Sequence, residues 1–343
     1  MHALIDRQVE LSHEEVQRYS RHIIMPEVGI GGQQKLKAAS VLLIGTGGLG
    51  SPTALYLAAA GIGRMGLVDY DVVDESNLQR QVIHGTSTVG IRKVDSAEKR
   101  LRDLNPDIQI DKYNVPLTSD NALELFEPYD VIVDGTDNFE TRYLLNDFAI
   151  DAETPLVLGG GIAKRGTVLP IIPERGPCLR CLHDTLPEQT ETCDTAGVLG
   201  PIVAMIGARQ AAVAMRLLIE GTEAFPVQLE SYNAWTGQSR SIALADARDP
   251  DCICCGKGNH EFLDGKGVGR TVKLCGRNAV QITPANVGRI DLLAVTDRLK
   301  LAGSVTALDG MIRAIISDQA DDAFELTVFS DGRAIVKGTE EPA

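Results

Sequence analysis

The sequence predicts an α/β fold: a doubly wound, mostly parallel sheet with an antiparallel extension, followed by a small C-terminal α+β module. Three observations predict it. Short apolar runs at 41–44, 65–68, 108–110 and 131–133 alternate with helical stretches around 51–60, 89–104 and 120–126. Runs this short suit strands buried on both faces, and strand–helix alternation builds a parallel sheet through crossover helices. Gly45-Thr46-Gly47-Gly48-Leu49-Gly50 follows the first run at once, at the G-x-G-x-x-G spacing of a Rossmann-like strand–turn–helix unit. Finally, 155–172 and 227–244 read as strand pairs that turn back on themselves, which supplies the antiparallel part.

The elements follow in order. Ser12 caps a helix over 13–25, with Glu15 completing a capping box. Pro26 and the Gly29-Ile30-Gly31-Gly32 loop end it, and 33–39 is a short polar helix entering the first strand. A helix starts near Phe139, after the fourth strand. The stretch 185–196 is polar and aperiodic, hence a loop. Residues 198–220 form a long helix rich in Ala and Gly, with a packing face of Ile202, Met205, Ile206, Ala212, Val213 and Leu217. Its small residues permit a close helix or subunit contact. The main domain ends in 249–259, and 262–269 reads as a linker. Beyond it come strands at 271–274 and 279–282, a helix at 289–301, and apolar segments at 311–316 and 324–329. Ser330-Asp331-Gly332 is a hairpin turn into 334–336. The expected domains are 1–260 and 261–343, the first divided into N-terminal helices (12–40), a core (41–175) and a cysteine-bearing crossover-loop region (176–260).

Composition narrows the function. A net charge of −14 argues against a nucleic-acid partner, which calls for a basic face. No run of 18 apolar residues is present and residues 1–20 lack the order of a signal peptide, so the expectation is a cytoplasmic protein with no membrane span. In a reducing compartment, seven cysteines point to metal ligands or reactive thiols rather than disulfides.

Four constellations carry chemistry. In the loop, Gly45, Gly47, Gly48 and Gly50 let backbone N–H groups approach a phosphate at a helix N-terminus. Asp69, 19 residues past Gly50, stands where an acid meets a ribose. Alone, this pair also suits an NAD(P)-dependent oxidoreductase. The second constellation is Asp71, the segment Asn77-Leu78-Gln79-Arg80-Gln81, and Lys93. Arg80 and Lys93 either face the phosphates of a triphosphate, where cations stabilise charge at phosphorus, or are solvated surface charges. The third is Asp134-Gly135-Thr136-Asp137-Asn138 at a strand's carboxyl end. Asp137 suits Mg²⁺ near a nucleotide, while Asp134 or Asn138 suits a helix cap. The fourth is Cys178-x-x-Cys181 with Cys252-x-x-Cys255, four thiolates for a tetrahedral structural zinc, with Cys254 or His183 as alternative ligands. Cys193 stands in the polar loop before the long helix, a reactive thiol or an incidental one, and Cys275 reads as packed.

The ordered set resembles the MoeB/ThiF adenylyltransferases, relatives of ubiquitin-activating enzymes. It runs through Arg18-Tyr19-Ser20-Arg21, the glycine loop, Asp69-Tyr70-Asp71, Ser76 to Gln81, Gly90 to Val94, Asp137-Asn138 with Arg142, both cysteine pairs, and Cys193 to Pro201. The resemblance implies ATP-dependent adenylation of the C-terminal glycine carboxylate of a small β-grasp sulfur-carrier protein ending in Gly-Gly. Pyrophosphate would leave, and thiocarboxylate formation for molybdopterin, thiamin or related pathways would follow. It implies ATP contacts from the loop glycines, Asp69, Asp71, Asn77, Arg80, Lys93, Asp137 and Asn138, with Mg²⁺ beside Asp137. It implies a homodimer in which Arg21 reaches the partner's site, and a place for Cys193 in sulfur transfer. The chain has no loop of the rhodanese type, so a cysteine desulfurase or other external persulfide donor would supply sulfur. The 261–343 module would be a docking accessory or a structural cap. A further alternative is an inactive, zinc-stabilised interaction protein of the same fold.

Overall fold

The computed structural model describes the chain except for residues 1–3, 6, 8, 185–195, 224, 266–270, 275–278, 283–289, 309–310, 318–322, 331, 333 and 340–343. It divides into two compact units, Met1–Pro187 with Val198–Gly265, and Glu188–Gly197 with Lys266–Ala343. The Cys193 and Cys275 expectations lie outside the described residues, as does most of the expected loop over 185–196.

The larger unit holds strands β1 (Ser40–Ile44), β2 (Arg64–Val68), β3 (Gln109–Tyr113), β4 (Val131–Asp134), β5 (Leu156–Ile162), β6 (Arg165–Ile171), β7 (Gln228–Asn233) and β8 (Gln238–Ala243). They form one sheet in the order β3-β2-β1-β4-β5-β6-β7-β8. The pairs from β3 to β5 are parallel, and those from β5 to β8 antiparallel. Every residue of β1 and β4 is buried, so the middle of the sheet is covered on both faces. That is why these runs show no polar alternation. The chain steps outward from β1 to β3 and returns on β1's other side at β4. The reversal opens a crevice at the carboxyl ends of β1 and β4.

Helices of this unit are α1 (His13–Arg18), α2 (Ser20–Ile23), α3 (Gly29–Ala38), α4 (Gly50–Ala59), α5 (Lys93–Leu104), α6 (Ser119–Phe126), α7 (Phe139–Asp151), α8 (Leu179–Leu182) and α9 (Gly200–Glu220). α4 sits beside both α5 and α9, and α9 also lies on β5 and β6. α6 and α7 form a second group, joined by Phe126 edge-on to Phe148 at 4.7 Å between centroids.

Several expectations are corrected. The first helix is two, α1 and α2, because Tyr19 turns inward and its hydroxyl takes a bond from Asn105 Nδ2 at 2.9 Å. The expected Gly29–Gly32 loop is the start of α3; a Cβ on Gly32 would stand 3.2 Å from Ile219 Cγ2, so this glycine serves a close approach to α9. α5 begins at Lys93 rather than at 89, because the chain over 90–93 first bonds back to 71–73. Met205 and Ala212 do not belong to the packing face of α9. At 100° per residue they fall opposite the buried stripe through Ile206, Gln210, Ala214 and Leu217. Phe262 is no linker residue: its ring tilts against Tyr143 at 5.0 Å and its N–H meets Asp147 Oδ2 at 2.9 Å.

α9 is, by length and composition, apolar enough to cross a membrane, although the sequence shows no unbroken run of that kind. Its apolar stripe rests on β5, β6 and α4 instead, and Arg209 pins it to β7 through two bonds to Glu230, 2.7 and 2.6 Å. The arginine holds the Glu230 carboxyl down at about 2.

The smaller unit holds β9 (Thr271–Leu274), β10 (Ala279–Ile282), α10 (Leu292–Leu299), β11 (Gly303–Leu308), β12 (Met311–Ser317), β13 (Ala323–Phe329) and β14 (Ala334–Lys337). Its strands form an antiparallel sheet in the order β11-β12-β13-β14-β10-β9. β11 is an addition to the expected pattern: Gly303-Ser304-Val305-Thr306-Ala307-Leu308 carries too few large apolar residues to announce a strand. Arg313, Glu325 and Lys337 form a cross-strand charged row, with pairs at 2.8 and 3.2 Å. Ile312, Ala314 and Val328 are buried.

The contact between α4 and α9 has no space for a larger residue at Gly207. A Cβ there would lie 2.3 Å from Leu49 O and 2.5 Å from Pro52 Cγ. Gly207→Ala is expected to separate the helices and to cost about 1–3 kcal/mol. Urea denaturation checks this, and an unchanged midpoint would show that the contact yields freely.

Candidate functional site

The turn after β1 forms the crevice floor. Gly45 has a φ of +87°, open to glycine at little cost, and a Cβ on Gly50 would stand 1.9 Å from Gly45 O. Only a chain without side chains at both positions closes here. Gly45 N–H bonds Val68 O at 2.8 Å, and Gly135 N–H bonds Ile44 O at 2.7 Å, so the ends of β2 and β4 are stitched to the turn. Thr46 is buried and gives both its N–H and its hydroxyl to Asp69 Oδ2, each at 2.8 Å. Asp69 Oδ1 accepts Asp71 N–H at 3.0 Å. Asp69 therefore braces the glycine turn, a role that its spacing did not reveal.

Arg80 comes to this turn from a compact segment that begins with a short 3₁₀ turn, Glu75–Asn77. A Cβ on Gly48 would lie 3.5 Å from Arg80 Cγ, and one on Gly200 would lie 2.6 Å from Gln79 O. The arginine is thus seated between the glycine turn and the start of α9. Its guanidinium bonds Asn77 Oδ1 at 3.3 Å and Ser76 O at 3.5 Å, and has no carboxylate partner among the described residues. Gln81 Nε2 gives Asn77 Oδ1 a second bond at 2.9 Å, and the buried Gln81 Oε1 has no partner among the described residues. Lys93, at the start of α5, is buried and pairs with the exposed Asp71 at 2.8 Å.

β4 delivers the next group. Asp134 is fully buried and accepts Thr136 N–H and Oγ1–H at 2.9 and 2.6 Å, with Arg142 Nε at 3.0 Å. Burial pushes its carboxyl up against the pull of Arg142. Arg142 also bonds Thr136 O and Gly159 O, both at 2.8 Å, and Gln210 bonds Asp134 O at 2.7 Å. Asn138 is the cap of α7, accepting Thr141 N–H at 2.8 Å, which settles the capping alternatives. Asp137 is exposed and makes no ion pair among the described residues. It follows the Thr136 peptide, which Asp134 and Arg142 grip.

The structure thus gathers Gly45, Gly47, Gly48, Gly50, Asp69, Asp71, Asn77, Arg80 and Lys93 around one turn, with Asp137 and Asn138 on the adjoining β4 loop. Arg21 lies exposed on α2 and is bonded to none of these residues among those described. Sequence reasoning assigned no role to Thr46, Gln81, Arg142 or Gln210. The signal for Arg142 was its spacing: eight residues past Asp134, one helical turn past Asn138, it points back along α7 toward the strand end.

The sulfur atoms of Cys178, Cys181, Cys252 and Cys255 lie within 4.8 Å of one another. Contacts of 3.9, 3.6 and 3.4 Å join Cys178 to Cys181, Cys178 to Cys252 and Cys181 to Cys255. A zinc tetrahedron with Zn–S near 2.3 Å has edges of about 3.8 Å, so the cluster is compatible with that ion. Cys254 is outside the set: it is buried and takes a bond from Asn146 Nδ2 at 3.4 Å. Its thiol stands beside Cys178 and pulls the Cys178 sulfur below the ordinary thiol range. His183 is not in the cluster either.

The ThiF family model matches residues 19–254. A sulfur carrier protein ThiS adenylyltransferase of Bacillus subtilis is 36% identical over 328 residues, 95% of this chain and 96% of that protein. A sulfur carrier protein adenylyltransferase of Thermus thermophilus is 43% identical over 250 residues, covering 71% and 92%. The adenylyltransferase and sulfurtransferase MOCS3 of Anopheles gambiae is 45% identical over 248 residues, 72% of this chain but 56% of that protein, so the chain spans about half of such longer relatives. Among solved structures, E. coli MccB with MccA-N7isoASN aligns with a TM-score of 0.63 at 22% identity, over 74% of this chain and 77% of that one, a likeness of fold. With the family model spanning the glycine turn, the Arg80 segment, the β4 loop and three of the four clustered cysteines, the chain belongs to the ThiF family.

Proposed function

We propose that this protein adenylates the C-terminal carboxylate of a small sulfur-carrier protein with ATP, releasing pyrophosphate. The observation that carries the reading is Arg80, a cation without a carboxylate partner among the described residues, seated against the glycine turn. The names of the Bacillus and Thermus relatives support the substrate class. A carboxylate is already a nucleophile, so no general base is needed. Its oxygen attacks the α-phosphorus, the bond from that phosphorus to the bridging oxygen breaks, and pyrophosphate leaves with the electron pair. The barrier is the meeting of anions, which Arg80 and Lys93 offset while the glycine turn fixes the phosphates. Lys93 must then exchange part of its contact with Asp71 for phosphate. Asp69, bracing the turn, keeps a lone pair for a ribose hydroxyl. Asp137 would hold Mg²⁺, which supplies further positive charge against the phosphate oxygens.

In this reading, Arg21 serves the partner subunit of a homodimer, its exposure being what such a role needs. A carrier ending in Gly-Gly presents a tail without side chains. The terminal sulfur of an external persulfide then attacks the acyl carbon and AMP leaves, giving an acyl disulfide; a thiol, for which Cys193 is the candidate, attacks the donor-side sulfur, forms a disulfide with it and releases the carrier's thiocarboxylate. The cysteine cluster holds a structural zinc, since four protein thiolates leave no open position. The unit from 266 onward is an accessory to carrier docking.

Pyrophosphate exchange with ATP, Mg²⁺ and a Gly-Gly carrier tests the assignment. Arg80→Ala and Asp137→Ala are each expected to lower exchange by about 10²–10³-fold with unchanged melting. Near-normal exchange in either would remove that residue from the site, and hydride transfer with a nicotinamide in place of exchange would replace the whole reading. Elemental analysis should find about one zinc per chain. Cys252→Ala should lose it and Cys254→Ala retain it; the reverse result would redraw the ligand set.

A further inference from the structure

His84 is 8% exposed, lies four residues past Arg80, and has a bond on each ring nitrogen. Its Nε2 stands 3.1 Å from Thr46 O, and its Nδ1 2.9 Å from Ser96 Oγ. Three segments meet on the ring: the glycine turn, the segment bearing Arg80, and the first turn of α5, which begins with Lys93. A carbonyl oxygen only accepts, so Nε2 carries a proton. The other side is a hydroxyl chain. Ser96 Oγ is 2.9 Å from Thr88 Oγ1, which is 2.8 Å from Gly85 O and accepts Gly85 N–H at 3.2 Å.

Each hydroxyl has one proton, so the chain runs one way at a time. With Nδ1 unprotonated, Thr88 donates to Ser96 and Ser96 donates to the ring. With Nδ1 protonated, the direction reverses and Thr88 donates to Gly85 O. The Nε2–H bond to Thr46 is common to both states. Burial lowers the His84 pKa, against the pull of the Thr46 carbonyl, which favours the neutral ring and the first direction. Thr46 is then held at every polar atom: N–H and hydroxyl on Asp69, carbonyl on His84 at 3.1 Å and, more loosely, on Ser51 Oγ at 3.4 Å.

We propose that His84 is a positioning residue for ATP, whose Nε2–H bond fixes the Thr46 peptide and so holds the glycine turn in register with Arg80 and Lys93. The inference rests on the ATP reading above. Removing the bond leaves the Thr46 carbonyl only the longer contact from Ser51 Oγ, 3.4 Å, and so loosens the Thr46 peptide and the N–H groups that follow. The two amide replacements separate the ring's two bonds. Glutamine places an amide N–H near the Nε2 position and can reach Thr46 O; asparagine ends near Nδ1 and reaches only Ser96.

The test is equilibrium binding of Mg-ATP to the full chain, for wild type, His84→Gln, His84→Asn and His84→Ala, each with a thermal melt. His84→Ala and His84→Asn are expected to weaken binding by about tenfold, the worth of one hydrogen bond, with His84→Gln within about threefold of wild type. A purely structural role would lower the melting of both amide variants alike and leave no rescue by glutamine. Equal affinity of the Gln and Asn variants, or wild-type affinity in folded His84→Ala, overturns the proposal alone. Should His84→Ala fail to fold, the Gln–Asn comparison decides. A wild-type chain that binds no ATP overturns the ATP reading, and this inference with it.

Discussion

The near-contact of Gly50 with Gly45 O is the constraint on which the crevice depends. The turn is closed to the limit of backbone sterics, so no other residue type fits at either end. The same closure brings Gly135 against Gly45, since a Cβ on Gly135 would lie 2.6 Å from Gly45 O. Two loops that begin on different strands thus share one backbone surface. The first turn of α4 begins on this surface, and Arg80 is the charged side chain seated against it.

Around this surface the charged groups are divided by burial. Arg142 and Asp134 are spent on each other and on loop carbonyls, which suits a pair so deeply buried, where a lone charge would be costly. Their product is geometric: a fixed Thr136 peptide with Asp137 beyond it. Arg80 bonds only neutral oxygens, and Lys93 bonds an acid that is itself exposed. In the proposed reading a triphosphate would compete with a water-facing carboxylate, because screening weakens the Lys93–Asp71 contact more than it would a buried one.

Much of the sheet was legible in the sequence, and the reason is physical. A strand buried on both faces must be apolar throughout, and the turn after β1 must be glycine at fixed positions. Both demands write themselves into residue identity. The four cluster cysteines were legible from CxxC spacing, which favoured Cys255 while leaving Cys254 open; Asn146, reaching Cys254 from α7, closes that alternative. The helix ends were misread where a tertiary contact overrode local chemistry. Gly32 is a glycine inside α3 because a Cβ there would crowd Ile219, and Tyr19 breaks the first helix because its ring fills the space above Gly61. His84 was invisible for a related reason. Its partners are a carbonyl 38 residues away and a serine on α5, and neither belongs to a motif.

α7 runs from the crevice to the cysteine cluster. Its cap, Asn138, adjoins the crevice, and Asn146 and Asp147 lie two turns further on, roughly 12 Å along the axis. There Asn146 bonds Leu179 N and Cys254 Sγ, and Asp147 bonds Phe262 N. Both asparagine contacts end beside the cysteine cluster. α7 thus carries on one axis the cap that follows the β4 loop and the two side chains that bond beside the cluster. The β4 loop has its own brace in Asp134, Thr136 and Arg142, so the two constellations share a helix while each is held by its own bonds.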